Sequence, residues 1–506
     1  MLEDPNVRRV MAARERHRDD FLLNRDSIWR DRLLWQAYTF RHLTHLLPGE
    51  AILELGAGQG LFVEALNQVT RGRNPIAVFS AEGPPETNSD NLQIDWNTPA
   101  GQTAPAGPKF DYVVTQNLLD ERYAAELLHA AFEQLSDGGR AVFLESNPWN
   151  PYHAARNLIR RLCRKPVQQH LLSRPQLYEL LSEIGFVRIM VRFTDFVYPP
   201  IPRSLVWVAK NVSVILENTP WLRLCAGRTL IVAEKPAVSQ RRRTAALATH
   251  ERLFNRLSVV VPCHNEEANI APLVDGLVAY YSDYIRQIVL VNDNSTDGTR
   301  AAIEALGQRE PRVTAVHRAP PNGVGRALRD GFAAVDPGAE YVLSMDCDFQ
   351  HLLPELEDMF DALASGHDAV VGSRFSRHSV LINYPLSKII ANRSFHVLFS
   401  LLFRRRRRDL TNNLKLMRHD AVRRLRLTSE SFAINAEIGL QLVLMGLSVE
   451  EVPISWVNRS FDMGTSSFRV LRVGGGYARV LMDLVRETRF GSRPLVRPLP
   501  EPECHG

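Results

Sequence analysis

The stretch YVLSMDCDFQH, residues 341–351, places two carboxylates one residue apart directly after a short apolar run. The run predicts a buried β-strand, and alternate residues of an extended chain share a face, so Asp346 and Asp348 are expected to converge on one point. Two such carboxylates suit Mg²⁺ or Mn²⁺ bound together with phosphate oxygens, without Cys or His ligands. On its own such a pair is more often a solvated acidic turn, and the rest of the chain decides between the two interpretations.

Length and composition limit the classes of protein that fit. A chain of 506 residues with 45% hydrophobic residues is long enough for at least two cores, because single cores stop growing near about 250–300 residues. The net charge of +5 suits anionic substrates or a membrane surface and does not by itself indicate nucleic acid. Five scattered cysteines without a C-x-x-C pair predict neither a disulfide framework nor a zinc site. Without a signal peptide or an apolar run of about 18 residues, we expect a cytoplasmic protein, with peripheral contact at the inner face of the membrane as a further expectation.

Both halves of the chain alternate short apolar runs with stretches of helical periodicity, which predicts parallel sheets covered by helices on both faces. A polar, basic segment that begins at Pro236 interrupts this alternation and has the composition of a linker. We therefore predict an α/β protein of two doubly wound domains, the first of them Rossmann-like. The expected boundaries are a helical extension at 1–47, a first domain at 48–235, a linker at 236–252, a second domain at 253–490 and a tail at 491–506.

A glycine-rich turn follows the first predicted strand. The segment ILELGAGQG, residues 52–60, runs from an apolar strand into Gly56, Gly58 and Gly60 and then into a helix. Glycines there allow a sharp turn and let a ligand approach the backbone beside a helix N-terminus. With Glu54 two residues before the first glycine, the segment resembles the E/D-x-G-x-G-x-G signature of class I S-adenosylmethionine-dependent methyltransferases. An NAD-type Rossmann domain and a cofactor-free remnant are the alternatives.

The methyltransferase resemblance extends over about residues 45–235 and implies a set of cofactor contacts. Glu82 at the end of the second strand would hold the ribose hydroxyls, and Asp95 would contact the adenine edge. Asn117 follows a run that resembles the fourth-strand motif on the methyl-donor side of the cofactor. S-adenosyl-L-methionine is therefore the expected cofactor, with Glu54 and the three glycines of the turn among its contacts.

The methyl acceptor is less defined by the sequence. The segment ESNPWNPYH, residues 145–153, follows the fifth strand, at the edge where such sheets bind ligands. Its proline-fixed backbone and polar side chains suit an acceptor such as a sugar hydroxyl, for which His153 or Glu145 would be the general base. A rigid structural loop whose polar groups bond internally is the alternative.

Five segments of the second half resemble family 2 glycosyltransferases, whose fold is GT-A. They are LSVVVPCHNEE (257–267), IVLVNDNSTDGT (288–299), NGVGRALRDGF (322–332), MDCDFQH (345–351) and VGSRF (371–375). Within that family, the Asp-x-Asp-x-Gln-His and Gly-Ser-Arg-Phe motifs resemble the dolichol- or polyprenyl-phosphate sugar transferases. The later segments EVPI at 451–454 and GTSSF at 464–468 agree with this subfamily.

This resemblance implies a residue set for each ligand. The metal, Mg²⁺ or Mn²⁺, would be held by Asp346, Asp348 and Gln350. The phosphates of the donor and of a lipid acceptor would be held by Arg374, Lys388 and Arg459. The nucleotide sugar would lie against Pro262, Glu266, Asp293, Asp297, Gly325 and Asp346.

The catalytic set depends on the acceptor. An alcohol would need a base, for which Glu437 is the candidate, whereas a lipid phosphate is already a nucleophile and needs only cations to position it. The resemblance implies inversion at the anomeric carbon, with Asp348, Arg374 and Arg459 as the other catalytic residues. Pairing of Glu437 with a nearby arginine is the structural alternative.

Two positions depart from the family pattern. The segment TNNLK, residues 411–415, has Leu414 where an aromatic residue is usual, and Asn292 stands where a second Asp is common. Both departures bear on donor and acceptor binding rather than on the fold.

Residues 395–408, FHVLFSLLFRRRRR, join an apolar, aromatic-rich stretch to five consecutive arginines. Such a helix would lie in a membrane interface and attract anionic head groups, at about 1 kcal/mol per basic residue near the surface. A core-packing helix followed by a solvated basic turn is the alternative. Nucleic acid is not an expected partner, because the neighbouring sequence presents no stacking aromatic platform.

The sequence therefore predicts a bifunctional enzyme of glycan or glycolipid synthesis. One half would transfer a sugar from a nucleotide donor to a polyprenyl-phosphate-type acceptor, and the other would methylate a sugar or lipid-linked hydroxyl. The alternative is a glycosyltransferase that acts on a soluble acceptor and carries a non-catalytic, methyltransferase-like binding domain.

Overall fold

The computed structural model describes residues 5–81, 92–93, 109–164, 170–198, 201–237, 246–382, 384–457 and 470–490. The chain divides into two compact units, Met1–Arg243 and Thr244–Gly506. The division falls inside the segment 236–252 that the sequence predicts as a linker. Each unit is a separate α/β structure.

The first unit contains a seven-stranded sheet in the order β3-β2-β1-β4-β5-β7-β6. Neighbouring strands are parallel except at β7, which runs antiparallel to both β5 and β6. The dinucleotide-binding sheet has the order 3-2-1-4-5-6, so the insertion of β7 distinguishes this sheet from the NAD-type alternative. The strands are β1 (Ile52–Leu55), β2 (Ile76–Phe79), β3 (Leu92–Gln93), β4 (Phe110–Gln116), β5 (Leu135–Ser146), β6 (Val187–Thr194) and β7 (Arg228–Glu234).

Helices cover both faces of this sheet. Ile52 of β1 packs with Phe40 and Phe62, and its neighbour Leu53 packs in a second cluster with Leu127. Successive residues of β1 thus serve opposite faces, as a pleated strand requires. The helices are α1 (Pro5–Arg25), α2 (Trp29–Thr44), α3 (Leu61–Thr70), α4 (Ala124–Gln134), α5 (Pro151–Leu162), α6 (Arg174–Ile184) and α7 (Val206–Glu217).

The N-terminal helices belong to the packed unit, although the sequence predicts residues 1–47 as an extension outside it. Phe40 of α2 and Met11 of α1 are fully buried in the two cores. The boundary expected at Pro48 follows from the clear helix stop there, which says nothing about where the helix packs.

The second unit contains a seven-stranded sheet in the order β10-β9-β8-β11-β14-β12-β15, and a small parallel pair of β13 and β16. All neighbours in the large sheet are parallel except at β14, which runs antiparallel to β11 and β12. The strands are β8 (Leu257–Cys263), β9 (Ile285–Asn292), β10 (Val313–His317), β11 (Tyr341–Ser344), β12 (Ala369–Ser373), β13 (Val380–Ile382), β14 (Lys415–Arg418), β15 (Val449–Pro453) and β16 (Ser455–Val457).

The helices of the second unit pack on this sheet. Helix α14 is buried on all sides, which explains why its sequence lacks an amphipathic pattern. No helix in the described part of the chain is long and apolar enough to cross a membrane. The helices are α8 (Glu267–Tyr281), α9 (Thr299–Arg309), α10 (Val324–Ala333), α11 (Leu356–Ala364), α12 (Leu386–Phe403), α13 (His419–Val422), α14 (Ile434–Leu444) and α15 (Val470–Phe490).

Candidate functional site

The carboxyl ends of three parallel strands carry acidic residues in the second unit. Strands β9, β8 and β11 are neighbours, and Asp293, Glu266 and Asp346 follow their ends. Parallel strands end at the same edge of a sheet, which is where open α/β sheets bind ligands. The sheet therefore brings these sequence-predicted residues to one edge.

Asp346 and Asp348 interact at this edge. Desolvation and then the charge of Asp348 raise the pKa of Asp346 to about 7, while a hydrogen bond of 2.8 Å from Asn413 Nδ2 opposes the shift. A divalent cation between the carboxylates would remove the repulsion that raises this pKa, so the pair fits Mg²⁺ or Mn²⁺. The described residues contain no group of three His, Cys, Asp or Glu side chains arranged for a metal. The side chain of Gln350, the third predicted ligand, is outside the described residues.

Two of the predicted nucleotide contacts hold loops together. Asp293 accepts a hydrogen bond of 2.7 Å from the Gly323 amide and forms an ion pair with Arg318. Asp297 accepts a hydrogen bond of 3.0 Å from the Thr299 amide at the start of α9. Burial alone would raise the pKa of Asp297, but hydrogen bonds from Thr299 lower it. These carboxylates shape the edge where the donor is expected, and their direct contacts with a nucleotide stay predictions.

The first acidic residue after β8 is arranged differently. Glu266 is partly buried and accepts a hydrogen bond from Asn269, and its charge adds to the raised pKa of Asp346. Pro262 lies in β8 beside Val291 of β9. Both residues therefore lie at the same edge of the sheet as the metal pair, with Glu266 within electrostatic reach of it, and their contact with a nucleotide stays a prediction.

Gly325 is required by a close backbone approach. A Cβ atom at this position would lie 2.2 Å from the carbonyl oxygen of Ser429, and the Gly325 amide donates to the Glu430 carbonyl at 3.1 Å. The glycine therefore lets the 428–430 loop pack on the start of α10. This is a structural reason for the glycine that the sequence interpretation, contact with donor sugar and phosphates, did not include.

Glu437 anchors the same loop. Its carboxylate is 4% exposed and accepts hydrogen bonds of 3.0 Å from the Thr428 amide and 2.9 Å from the Ser429 amide. The Thr428 hydroxyl adds a third bond of 2.8 Å. A carboxylate held by three donors is poorly placed to take a proton from an acceptor, so this geometry favours a structural role over the predicted catalytic base.

Arg374 forms a buried ion pair that the sequence did not reveal. Its Nε and one terminal nitrogen donate to the two carboxylate oxygens of Asp409 at 2.7 and 2.9 Å, and the other terminal nitrogen donates to Tyr384 Oη at 2.9 Å. Burial alone would raise the pKa of Asp409, but the charge of Arg374 holds it well below its usual range. In this structure Arg374 is a positioning residue, and its direct contact with a phosphate stays a prediction.

Lys388 is the more accessible cation near the metal pair. It lies in the first turn of α12 and is partly exposed. Burial and then the charge of Arg374 lower its pKa, and the charge of Asp348 opposes that shift. A partly exposed ammonium that interacts with both of these charges fits a phosphate contact. Arg459 lies outside the described residues.

A second buried cation, Lys415, bonds to the loop that follows Asp409. Lys415 of β14 is fully buried, donates to the Asn412 carbonyl, and has a pKa lowered to about 7, chiefly by burial. Its only sequence signal was its place in the TNNLK segment. Asn413 in that segment is the residue that contacts Asp346, so the segment departing from the family pattern supports the metal pair.

Residues 258–428 match the model of the protein family Glycosyl transferase family 2. This span begins in β8, contains both Asp346 and Asp348, and ends in the loop that packs on Gly325. The second unit contains a family 2 glycosyltransferase domain. The matched span lies wholly within the second unit, and the GT-A fold expected for that unit agrees with the match.

The glycosyltransferase domain has relatives among characterised proteins. The chain is 28% identical over 221 residues to polyprenol monophosphomannose synthase from Mycolicibacterium smegmatis, covering 43% of this chain and 83% of that protein. It is 25% identical over 242 residues to undecaprenyl-phosphate mannosyltransferase from Micrococcus luteus, covering 47% and 94%. A crystal structure of glucosyl-3-phosphoglycerate synthase from Mycobacterium tuberculosis matches 48% of this chain and 85% of its own at 16% identity. Its TM-score of 0.37 supports no functional inference.

The first unit has a separate candidate site, here termed the crevice, where the turn after β1 (residues 56–60) meets the end of β4. Gly56, Gly58 and Gly60 have φ angles of +77°, +56° and +74°, in the left-handed region that favours glycine. This turn leads directly into α3. The predicted sharp turn between strand and helix is therefore present, and it lies beside the helix N-terminus as a ligand-binding turn requires.

Glu54 is a buried carboxyl beneath this turn. It is fully buried, and neither of its oxygens accepts a hydrogen bond from the described residues. Burial raises its pKa to about 8, although the charge of Arg18 opposes this, so the group holds a proton at neutral pH. Such an unpartnered group marks the crevice as a place where a polar ligand would gain a contact.

Of the remaining predicted cofactor residues, the structure describes only Asn117. Asn117 follows β4 with a φ of +47°, and its Oδ1 accepts a hydrogen bond of 3.0 Å from Ser146. Glu82 and Asp95 lie outside the described residues. Contact of these residues with a cofactor stays a prediction.

The loop expected to bind the methyl acceptor is bonded to another segment of the same unit, residues 224–226. Asn147 Nδ2 donates to the carbonyls of Leu224 and Ala226 at 2.8 and 2.7 Å, and Asn150 Nδ2 donates to the Cys225 carbonyl at 2.8 Å. This arrangement favours the structural alternative for the loop.

The two candidate bases flank that loop. Burial raises the pKa of Glu145 to about 7, and its Oε1 accepts a hydrogen bond of 3.0 Å from the Leu118 amide. His153 lies at the start of α5 and is partly exposed. A general-base role for either residue stays a prediction.

Proposed function

We propose that the second unit transfers a sugar from a nucleotide donor to a polyprenyl-phosphate-type acceptor, with inversion at the anomeric carbon. The observation that carries this proposal is the Asp346–Asp348 pair at the sheet edge, with the Lys388 ammonium near it. Carboxylates suit a metal-bound diphosphate, and the lysine suits a second phosphate. The names of two relatives, which specify polyprenol and undecaprenyl-phosphate acceptors, support this choice.

Each residue of the edge has a defined task in this proposal. Asp346 and Asp348 would hold the cation, and Asn413 fixes the orientation of Asp346. A bound Mg²⁺ or Mn²⁺ supplies neutralisation of the leaving diphosphate. Lys388 offers its charge to the acceptor phosphate, and Arg374 fixes the loop around Asp409.

A phosphate acceptor fits this site better than an alcohol. An alcohol needs a base, and the candidate Glu437 already accepts three hydrogen bonds from the 428–429 segment. A phosphate oxygen is a nucleophile at neutral pH and requires only cationic positioning. The geometry of Glu437 therefore supports the lipid-phosphate proposal over a soluble alcohol acceptor.

The surface of α12 suits peripheral contact with a membrane. Val397 and Leu401 are 58% and 72% exposed on one side of the helix, whereas His396 and Phe399 are buried. The helix leads into the arginine run 404–408, whose members are exposed except for Arg407, which is partly buried. Four exposed arginines would contribute about 4 kcal/mol at an anionic surface. We propose that this surface, residues 390–408, holds the protein at the inner face of the membrane, where its acceptor lies.

For the first unit we propose S-adenosyl-L-methionine binding and methylation of a sugar or lipid-linked hydroxyl. The left-handed glycine turn, the unpartnered Glu54 and the sheet order with antiparallel β7 support this proposal over a dinucleotide site. A specific observation also favours a second candidate, a non-catalytic binding domain. Three charged side chains of α1 bond to the groups of the crevice, where they take the place of a ligand: Glu15, Arg18 and Asp19.

Thermal shift with nucleotide sugars tests the glycosyltransferase proposal. A donor at 100 times its Kd, with Mn²⁺, should stabilise the second unit by about 2.7 kcal/mol. The Asp348→Asn variant should lose this shift, and the Asp420→Asn variant, changed at an exposed ion pair, should keep it. A shift of equal size without Mn²⁺, or in Asp348→Asn, would contradict the assignment of the metal pair.

Calorimetric titration with S-adenosyl-L-methionine tests the proposal for the first unit. Binding that Glu54→Ala weakens supports the cofactor site. Methylation of a lipid-linked sugar by the full chain would distinguish the two candidate functions, because a non-catalytic binding domain would bind the cofactor without transferring the methyl group.

A further inference from the structure

Helix α1 buries an unusual set of side chains. Arg14, Glu15, Arg18 and Asp19 are only 2–8% exposed. They form two adjacent pairs, 14/15 and 18/19, one helical turn apart on one face of the helix. Buried charges are unfavourable unless they find partners, and an apolar face would pack at lower cost. The partners of these side chains therefore indicate why the face is charged.

Arg18 binds the carbonyl groups of the glycine turn. Its terminal nitrogens donate to the Gly56 carbonyl at 2.6 Å and the Ala57 carbonyl at 3.0 Å. A third bond of 3.3 Å reaches the Gln116 carbonyl at the end of β4. The guanidinium thus occupies the point where the β1 turn meets the end of β4, and its charge acts on the buried Glu54.

The two acidic residues bind amide and hydroxyl donors on either side of this point. Asp19 Oδ2 accepts a hydrogen bond of 2.9 Å from the Gln59 amide, within the glycine turn. Glu15 accepts bonds of 2.6 Å from Ser80 Oγ and 3.1 Å from the Ala81 amide, just after β2. The fit is close, because a Cβ atom at Gly58 would lie 2.2 Å from Asp19 Oδ2.

The crevice therefore has a defined chemical pattern. It offers carbonyl acceptors for a cation, an amide for a carboxylate beside that cation, and hydroxyl and amide donors for oxygens at the end of β2. Residues of α1 satisfy all three parts. A small molecule with an ammonium and carboxylate next to each other, joined to a group rich in hydroxyls, would use the same atoms.

We propose that α1 is an internal competitor of the small-molecule ligand in the first unit, and that the ligand enters only when α1 leaves the crevice. The proposal rests on the proposed function of this unit, because S-adenosyl-L-methionine is the ligand of that chemistry used as the probe. Binding to a site that is open for only a fraction of the time is weakened by that fraction. Release of α1, by a partner or by a substrate, would then control the first activity without changing the second.

Two variants of the full chain test this competition. Arg18→Ala and Asp19→Asn remove contacts of α1 while leaving every atom of the crevice in place. Each should tighten binding of S-adenosyl-L-methionine at least about tenfold in calorimetric titration. The matched controls are Arg16→Ala and Asp20→Asn, at exposed positions of the same helix, and they should bind like the wild type.

Hydrogen–deuterium exchange of residues 5–25 gives an independent readout. Saturating S-adenosyl-L-methionine should accelerate exchange in α1 of the wild type, because the ligand displaces it. Equal affinity in all five proteins, with α1 protected in the saturated complex, overturns the competition and leaves the cofactor proposal standing. Binding by none of them, with α1 exchanging faster in Arg18→Ala than in Arg16→Ala, overturns the cofactor proposal itself.

Discussion

The ion pair between Arg374 and Asp409 gives the sharpest prediction about stability. Asp409 is fully buried and accepts bonds from the Arg374 side chain at 2.7 and 2.9 Å, from Thr411 at 3.0 Å and from Asn392 at 3.1 Å. Asp409→Asn keeps the shape but turns an amide NH₂ toward donors and leaves the arginine charge without a counter-charge. Breaking a buried pair in this way costs about 3–5 kcal/mol.

Scanning calorimetry of the full chain measures this effect. For a unit of this size, the transition of the second unit should fall by roughly 10 °C, while that of the first unit stays unchanged. The matched control is Asp420→Asn, which removes an exposed ion pair with Arg418 and should change stability by about 0–1 kcal/mol. Equal, small shifts in both variants would refute the argument that Asp409 holds Arg374 in a buried network.

Four further predictions concern other residues of the two units. Asp348→Asn should reduce Mn²⁺-dependent release of nucleoside diphosphate on the order of a hundredfold or more. Unchanged release would contradict the assignment of Asp348 as a metal ligand. Glu437→Gln should destabilise the second unit by about 1–3 kcal/mol while the pH profile of sugar transfer stays the same; loss of the acidic limb of that profile would restore Glu437 as the base. Because burial raises the pKa of Glu54 from 4.5 to about 8, its contribution to stability is full below pH 4.5 and is lost as the pH rises to 8. Glu54→Gln should therefore flatten the fall in unfolding free energy between these pH values, and an unchanged slope in urea titrations would contradict the buried, protonated carboxyl. Replacing Arg404, Arg405, Arg406 and Arg408 by Gln should abolish flotation with anionic vesicles at low salt. Equal flotation of the wild type and this variant would contradict membrane binding through residues 390–408.

Most of the fold could be predicted because its strands are apolar and bounded by turn residues. The runs at 52–55 and 341–344 show this well, and both form strands where the pattern placed them. Strand β14 was not predicted, because its four residues begin with Lys415 and end with Arg418 and present no apolar run. The packing of α1 was also hidden, since its buried face is charged and local periodicity indicates burial only for apolar residues.

The candidate site was predictable where a residue follows a strand and less so where it acts through another residue. Asp346 and Asp348 lie at the expected edge because strand order determines it. Asn413 lies 67 positions after its partner Asp346, and Asp409 lies 35 positions after its partner Arg374, so only the folded sheet brings each pair together. Likewise, the sequence could suggest a base at Glu437 but could not show that the 428–429 amides already bind it.

One measurement tests the central claim, that the second unit uses a metal-bound nucleotide sugar to glycosylate a lipid phosphate. The full chain is incubated with Mn²⁺, a labelled nucleotide sugar, and either a polyprenyl phosphate or the matching polyprenol, and the lipid-extractable label is counted. We predict labelled lipid only with the phosphate, and none with EDTA or in Asp348→Asn. Equal labelling of the polyprenol, or labelling that survives loss of Asp348, would contradict this account.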